Sequence, residues 1–301
     1  MVILLFNRPD VTAQVAQRVA NARPQAVYLV ADGPRPDVPE DRELCELARN
    51  AALSAPWDCE VHTAFADTNM GLKARVSSGL DWVFNHEESA IILEDDCLAD
   101  PSFFPYATEL LERFASDTRV GMISGNNFLH GRRVSEYSYY FSHEVRIWGW
   151  ATWRRVWQVF STAGLQRNWS SSDVEKVTTL LSNPRRRRAI KSTAQKVNAL
   201  DSWALPFALH CLDRGFLNVT PEANLVSNIG FGAHSTHTKF ESFTDELPAD
   251  SISLPLRHPE EVSESRGAGQ LEGRLALWQW IVFPLAHPID FLGRVWRYLH
   301  R

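Results

Sequence analysis

Three consecutive acidic residues, Glu94, Asp95 and Asp96, are the feature of the chain with the clearest chemical use. They follow an apolar run at 89–93 that predicts a buried strand, and the Asp-Pro pair at 100–101 is typical of a helix start. Three carboxylates this close repel one another, and they need a cation or hydrogen-bond donors to stabilise their negative charges. The acids are therefore expected at the carboxyl end of a central strand, where open α/β sheets bind ligands.

Two interpretations of these acids remain open from their residue types and spacing. A hard divalent cation prefers carboxylate oxygens, and the diphosphate of a bound sugar nucleotide can complete its coordination shell. In the alternative interpretation, the acids cap the following helix and pair with lysine residues at the surface.

Composition and charge exclude several classes of protein. The chain has 301 residues, a net charge of −5 and 45% hydrophobic residues. These values are ordinary for a soluble globular protein and unlike those of a general nucleic-acid binder. The cysteine residues form no C-x-x-C pair, so neither a zinc site nor a dense disulfide framework is indicated. The start of the chain lacks the basic region of a signal peptide, and no apolar run approaches the roughly 20 residues of a membrane span. We therefore expect a cytoplasmic protein.

Strand and helix patterns alternate over the first third of the chain. Apolar runs predict strands at 2–6, 26–30, 60–65 and 90–93, with helical patterns between them. Strands separated by helices indicate an α/β fold with a mostly parallel sheet. Further strands are predicted at 120–124 and 137–141, and further helices at 102–115, at 150–160 and in the apolar run that follows Asp201.

We divide the chain into three segments. Residues 1–238 contain the α/β domain, residues 239–270 are a linker rich in loop-forming residues, and residues 271–301 form an amphipathic helical segment rich in aromatic residues and Arg. Pro284 and Pro288 break this last segment into two helical pieces. Its composition suits a position in a membrane interface, a cover over the core of the domain, or a dimer contact, and these interpretations stay open.

Several segments resemble, in the same order along the chain, motifs of the GT-A glycosyltransferases, most closely those related to protein N-acetylglucosaminyltransferase I. ILEDDCLADPSFFPY is similar to the segment in which a strand ends in EDD before a helix, and ALDSWALPF is similar to the segment that carries the catalytic base. Shorter resemblances occur in LLFNRPD, LVADGPR, GLKARVSSGLDWVF, VGMISGNNF, IWGWATWRRVW and TPEANLVSNIGFGAHSTH. Together they span residues 2–238 and imply a GT-A (Rossmann-like) sheet flanked by helices, followed by a C-terminal helical appendage.

The resemblance assigns roles on the donor side of the site. Asp96, the last acid, would bind Mn²⁺ or Mg²⁺, and His234 would contact the same metal or a phosphate, although a lone His in a loop is more often a surface residue. Asp32 would accept the imide N–H of uracil, whereas Glu94 and Asp95 would contact the donor's sugar and ribose. With Arg8 and Lys73 near the nucleotide or its phosphates, the donor-binding set is Arg8, Asp32, Lys73, Glu94 and Asp95.

The resemblance also makes Asp201 the catalytic residue. Direct displacement at an anomeric carbon needs a base that takes the proton of the acceptor hydroxyl, on the face opposite the leaving diphosphate. A metal offsets the negative charge that grows on that diphosphate. This arrangement inverts the anomeric configuration. The residue types alone favour a different interpretation, in which Asp201 is the N-cap of the helix that follows it.

The candidates on the acceptor side are less specific. Aromatic rings can stack on sugar faces, and Gly149 lets a ligand approach the backbone, so Trp148, Gly149 and Trp150 are predicted to bind the acceptor. At helical spacing, however, Trp150, Trp153 and Trp157 are more often core residues. Asn126 and Asn127 are candidate partners for sugar hydroxyl groups, or simply turn residues.

These observations predict a metal-dependent inverting glycosyltransferase that moves a sugar from a UDP-sugar, with UDP-N-acetylglucosamine as one candidate, to a glycan or lipid-linked acceptor. The expected setting is the synthesis of a bacterial surface polysaccharide, with peripheral contact to the cytoplasmic face of the inner membrane through the C-terminal segment. No nucleic-acid partner is expected.

Two other functions remain as alternatives. A sugar-nucleotide nucleotidyltransferase has a related sheet and metal-binding acids, but it usually opens with a Gly-rich loop after the first strand, which FNRPD lacks. A catalytically inactive scaffold that binds a nucleotide sugar would keep the fold, and the presence of both the acids and Asp201 counts against it.

Overall fold

The first hundred residues alternate strands and helices. The computed structural model describes residues 1–194, 197, 200–230 and 247–275. Strands β1 to β4 are Val2–Leu5, Ala26–Ala31, Glu60–Phe65 and Ser89–Glu94. The helices between them, α1 to α3, are Pro9–Asn21, Asp41–Leu53 and Leu72–His86. The predicted alternation is therefore confirmed.

Shorter elements make up the second half of the described chain. The strands are β5 (Cys97–Ala99), β6 (Val120–Ser124), β7 (Tyr139–Ser142), β8 (Trp150–Trp153), β9 (Leu217–Pro221) and β10 (Val226–Asn228). The helices are α4 (Phe103–Arg113), α5 (Arg154–Val159) with a π-helical turn at Phe160–Gly164, α6 (Ser171–Thr178), α7 (Pro184–Ala194) and α8 (Ala204–Asp213). A last helix, α9, covers 266–275.

The main sheet is mostly parallel. Its strand order is β3-β2-β1-β4-β8-β6-β9-β7, and β5 pairs with β10 in a separate two-stranded sheet. Within the main sheet, β8 and β7 run antiparallel to their neighbours, and the other pairs are parallel. This confirms the predicted α/β class, and a mostly parallel sheet accompanied by helices is compatible with a Rossmann-like GT-A arrangement.

The strand order reverses beside β1. The chain winds outward from β1 to β2 and β3, then returns to the other side of β1 as β4. Both β1 and β4 are mostly apolar and are buried over most of their length, as is typical of central parallel strands covered on both faces. The crevice at the carboxyl ends of β1 and β4 is therefore the place where an open α/β sheet binds a ligand.

The predicted helix at 150–160 is wrong in its first part. Trp150–Trp153 is strand β8, which is hydrogen-bonded between β4 and β6, and the helix begins only at Arg154. Sequence periodicity cannot separate a short buried strand from a buried helical turn. Residues 150–153 form a strand because they lie between β4 and β6. Pairing with these two strands satisfies their backbone hydrogen-bonding groups.

Trp150 lies at the centre of an aromatic core. Its ring stacks on that of Trp203, with ring centroids 5.4 Å apart, and Trp157 and Phe207 pack against both. All four side chains are buried. The prediction that Trp150, Trp153 and Trp157 are core residues is confirmed. Helices α6, α7 and α8 enclose a second, smaller apolar cluster.

The described part of the C-terminal region lies against the α/β domain. The backbone N–H of Ile252 donates to Ser102 Oγ at 2.9 Å, and that of Arg257 donates to Ser138 Oγ at 2.8 Å. Helix α9 is joined to the domain by an ion pair between Arg146 and Glu272. The division at 238 and 270 stays a prediction, and residues 276–301 of the predicted amphipathic segment lie outside the described residues. No helix among the described residues is long and apolar enough to span a membrane.

Replacing Trp203 with Ala should destabilise the protein strongly. The side chain is 1% exposed, and truncation of a buried Trp typically costs about 3–5 kcal/mol. Urea unfolding followed by circular dichroism measures the cost. Trp82→Ala makes the same chemical deletion at a half-buried position of α3 and should cost less than half as much. Equal costs for the two variants would contradict the proposed core.

Candidate active site

A cleft of about 380 Å³ opens at the carboxyl ends of β1, β2 and β4, at the reversal of strand order. Its volume is in the range of small-molecule sites. The side chains that line it come from segments far apart in the sequence. Among the polar residues of its wall are Arg8, Asp32, Arg35, Asn69, Arg75, Glu94, Asp95, Asp96, Asp201 and Asn228.

A larger recess of about 890 Å³ lies at the opposite edge of the sheet, beside the first residues of β1, β2 and β4. Its wall includes Arg18, Tyr28 and Glu87 but none of the predicted site residues. Size alone does not identify a site, and the convergent charged groups of the smaller cleft make it the better candidate.

Asp95 and Asp96 are buried beside one guanidinium group. Their side chains are 4% and 9% exposed. Arg8 Nη1 donates to Asp96 Oδ2 at 2.9 Å, and its Nη2 pairs with Asp95 Oδ1. Arg8 is the N-cap residue of α1, where Pro9 follows it and its carbonyl oxygen accepts from Thr12. The turn after β1 thus aims Arg8 at the end of the adjacent strand β4.

Burial and mutual repulsion perturb the acids. Burial raises the pKa of Glu94, and the charges of Asp96 and Asp95 raise it further. Burial also raises the pKa of Asp95, although the charge of Arg8 acts in the opposite direction. For Arg8, burial lowers the pKa, but the two carboxylates more than offset this, so the net shift is upward. The cluster therefore favours a positive charge beside it.

The acids fit a divalent cation that shares its shell with a ligand. Asp95 and Asp96 offer carboxylate oxygens, the hard donors that a divalent cation prefers. Among the described residues, no group of three or more His, Cys, Asp or Glu side chains converges into a metal cage. A cation held by one or two carboxylates and by phosphate oxygens needs no such cage.

Asp32 faces the cleft from the end of β2, where it anchors the loop before α3. Its Oδ1 accepts from the backbone N–H groups of Gly33 and Met70 at 2.8 and 2.9 Å, and its Oδ2 accepts from Asn69 Nδ2 at 3.0 Å. A Cβ at Gly33 would lie 2.4 Å from the backbone of Thr68, so the close approach of this loop requires glycine. Asp32 Oδ2 retains capacity to accept a further donor.

Asp201 caps a helix, but a different one from the helix predicted by its sequence position. Its Oδ2 and Oδ1 accept from the backbone N–H groups of Leu72 and Lys73, each at 2.9 Å, at the start of α3. The helix that follows Asp201 has Trp203 as its N-cap residue and no side-chain cap. Gly71, with φ of 83°, brings the start of α3 close to the carboxylate. Asp201 therefore joins two segments of the cleft wall.

The predicted acceptor residues separate into two groups. Trp148 lines the cleft, and Gly149 has φ of 63°, where a Cβ would meet Val226 and Leu93. Trp150 is buried in the aromatic core and does not line the cleft, which corrects its prediction as a ligand-facing residue.

Asn126 and Asn127 are also buried and absent from the wall of the cleft. Asn126 Nδ2 donates to the carbonyl oxygen of Val226 at 3.2 Å. Asn127 Nδ2 donates to the carbonyl oxygen of Pro221 at 2.6 Å, and its Oδ1 accepts from the backbone of Leu129 at 2.7 Å. Both side chains hold loops at the end of β6, so the turn interpretation is the better one for these residues.

Lys73 meets the site through its backbone, not through a side chain on the cleft wall. Instead, Arg75, two positions further along the same helix turn, lines the cleft together with Arg35. The sequence pattern gave no reason to prefer Arg75 over Lys73, because both are basic residues in the first turn of α3. His234 lies outside the described residues.

No model of a protein family matches the chain, and a comparison with curated proteins finds no relative. A search of solved structures finds a weak likeness to the crystal structure of UDP-glucose pyrophosphorylase complexed with UDP-glucose. The likeness covers 48% of this chain and 62% of that chain, with 12% sequence identity and a TM-score of 0.27. This chain thus spans less than two thirds of that protein, and so weak a likeness carries no information about activity. The narrower resemblance to protein N-acetylglucosaminyltransferase I is not supported by these comparisons and stays a prediction.

Asp201→Ala should destabilise the protein by about 1 kcal/mol, the typical cost of losing a carboxylate that caps a helix. Asp201→Asn keeps one oxygen acceptor and should cost less. The free energy of unfolding in urea measures both. Asp37→Ala removes an exposed carboxylate and should change stability by less than ~0.5 kcal/mol. A cost for Asp201→Ala no larger than for Asp37→Ala would contradict the cap on α3.

Proposed function

We propose that the protein is a metal-dependent inverting glycosyltransferase that uses a UDP-sugar. The observation that carries this proposal is the convergence of Asp32, the acidic pair Asp95–Asp96 and Asp201 on one cleft. These residues come from the ends of two strands and from the segment before α8, so only the folded chain brings them together. A single cleft then holds candidate partners for the uracil, for the diphosphate and for the acceptor hydroxyl of one reaction.

The donor would lie across the carboxyl ends of the strands. Asp32 would accept a hydrogen bond from the imide N–H of uracil. The guanidinium groups of Arg8 and Arg75 would pair with the negatively charged phosphate groups, since guanidinium binds phosphate oxygens well. Asp96, with Asp95 beside it, would hold Mn²⁺ or Mg²⁺. When bound, such a cation offsets the negative charge on the leaving diphosphate.

Asp201 would act on the acceptor. A carboxylate has about four positions for accepting hydrogen bonds, and the N–H groups of Leu72 and Lys73 use two of them. The remaining positions leave Asp201 able to take the proton of an acceptor hydroxyl as the new glycosidic bond forms and the bond to the diphosphate breaks. A base on one side of the sugar and a leaving group on the other give inversion.

The acceptor class rests on the resemblance to the GT-A enzymes and on Trp148, which lines the cleft and offers an aromatic face for a sugar. We propose a glycan or lipid-linked acceptor, as expected for the synthesis of a bacterial surface polysaccharide. Peripheral contact with a membrane through residues 271–301 belongs to the same proposal.

Calorimetry with UDP-sugars tests the donor site. In the presence of Mn²⁺, the protein should bind UDP and at least one of UDP-N-acetylglucosamine, UDP-glucose and UDP-galactose, and without a divalent cation the affinity should fall by at least ~10-fold. Asp96→Asn should abolish the effect of Mn²⁺. Asp100→Asn, four residues further along and outside the cleft wall, is the matched control and should bind normally. Failure to bind any UDP-sugar under either condition would overturn the proposal.

Asp201→Asn should separate binding from turnover. The substitution removes the base but keeps an oxygen acceptor for the start of α3, so donor affinity should change little. The rate constant kcat should fall by ~10²–10⁴-fold, the usual contribution of a general base. Release of UDP in the presence of acceptor measures kcat, and calorimetry measures donor affinity. Donor binding without turnover in the natural chain, across a panel of acceptors, would instead favour an inactive scaffold.

A further inference from the structure

The two terminal nitrogen atoms of Arg8 donate hydrogen bonds to two different carboxylates. Its Nη1 contacts Asp96 Oδ2 and its Nη2 contacts Asp95 Oδ1. The other oxygen of each acid is held by the chain: Asp95 Oδ2 accepts from the backbone N–H of Phe6 at 3.2 Å, and Asp96 Oδ1 lies 3.6 Å from the Cys97 thiol. One guanidinium group therefore pairs with one oxygen of each acid.

The backbone of Gly230 lies directly over this ion pair. A Cβ at Gly230 would be 2.3 Å from Asp96 Oδ2 and 2.4 Å from Arg8 Nη1. The neighbouring N–H of Ile229 donates to the carbonyl oxygen of Asp96 at 2.8 Å, which fixes this approach. The bond between Arg8 and Asp96 is thus covered by main chain on one side.

A divalent cation cannot simply be added to this arrangement. It would need direct contact with a carboxylate oxygen, and one oxygen of each acid already binds Arg8. A cation on either acid would lie next to the half-buried guanidinium of Arg8. The two groups carry charge of the same sign and repel each other. Because of this repulsion, the cation and the guanidinium compete for the same pair of acids.

We propose that Arg8 is an exchangeable counter-cation, which leaves Asp95 and Asp96 for the donor's diphosphate when a divalent cation takes its place. The exchange requires an anionic group to receive the guanidinium, and a diphosphate offers oxygens in the geometry that guanidinium binds best. The inference rests on the proposed function, because it takes a nucleoside diphosphate as the ligand. It adds that the site resists metal in the absence of that ligand.

Mn²⁺ binding in the absence of nucleotide tests the exchange. The paramagnetic resonance signal of free Mn²⁺ gives the affinity directly. The natural chain should bind MnCl₂ alone weakly, and Arg8→Met, which keeps an apolar stem without the charge, should bind it at least ~10-fold more tightly because the acids are freed. Arg35→Met is the matched control: it removes the same charge from the same cleft wall but leaves Arg8 on the acids, and its affinity for Mn²⁺ should match the natural chain's.

Equal affinity for Mn²⁺ in Arg8→Met and the natural chain would overturn the inference, even if UDP binds with Mn²⁺ as the proposed function requires. Conversely, tighter Mn²⁺ binding by Arg8→Met in a protein that binds no UDP would support the counter-cation role and overturn the diphosphate as the receiving group. Arg8→Gln provides a second neutral variant if Arg8→Met does not fold.

The natural chain gives a measurement that needs no neutral variant. With isotope-labelled arginine, the guanidinium resonance of Arg8, assigned with Arg8→Lys, should be unchanged by MgCl₂ alone. It should shift when UDP is added with MgCl₂, because the guanidinium then changes partners. A shift of equal size with MgCl₂ alone would overturn the requirement for diphosphate.

Discussion

The burial of two adjacent carboxylates at the end of a central strand is the constraint on which the site depends. Burial and the charge of the neighbouring acid both raise the pKa of Asp95, and the charge of Arg8 acts in the opposite direction. The strand order of the sheet supplies the positive charge, because β1 lies next to β4 and the turn after β1 carries Arg8. The pairing of these two strands thus fixes both the position of the acids and the group that neutralises them.

Two other carboxylates of the cleft, those of Asp32 and Asp201, are held by backbone groups. Asp32 orders the loop before α3, and Asp201 binds the first N–H groups of that helix. Backbone donors in a folded sheet and helix have fixed positions, so these two side chains are preorganised. Arg8 instead reaches its acids through the end of a long side chain. The proposed exchange of Arg8 would therefore leave the positions of Asp32 and Asp201 unchanged.

Asp201 depends on the aromatic core behind the cleft. Trp203, two residues further along, stacks on Trp150 in β8, which pairs with β4. The Asp-x-Trp spacing thus places one residue in the core and the other at the cleft, with the acids on the neighbouring strand. This connection gives a physical reason for the spacing: the buried Trp holds a segment that would otherwise have few anchors near α3.

The sequence by itself determined the alternation of strands and helices, the mostly parallel sheet and the position of the three acids at a strand end, because these depend on local periodicity and on turn residues. It also indicated Asp32 and Asp201 as cleft residues, through resemblance. Only the tertiary structure decided that Trp150 is a strand residue of the core, that Asp201 caps α3, and that Asn126 and Asn127 hold loops. It also decided that Arg8 neutralises the acids. Each of these outcomes depends on partners distant in the sequence, such as β6 for Trp150, and no local pattern encodes which partner a buried polar or aromatic group will meet.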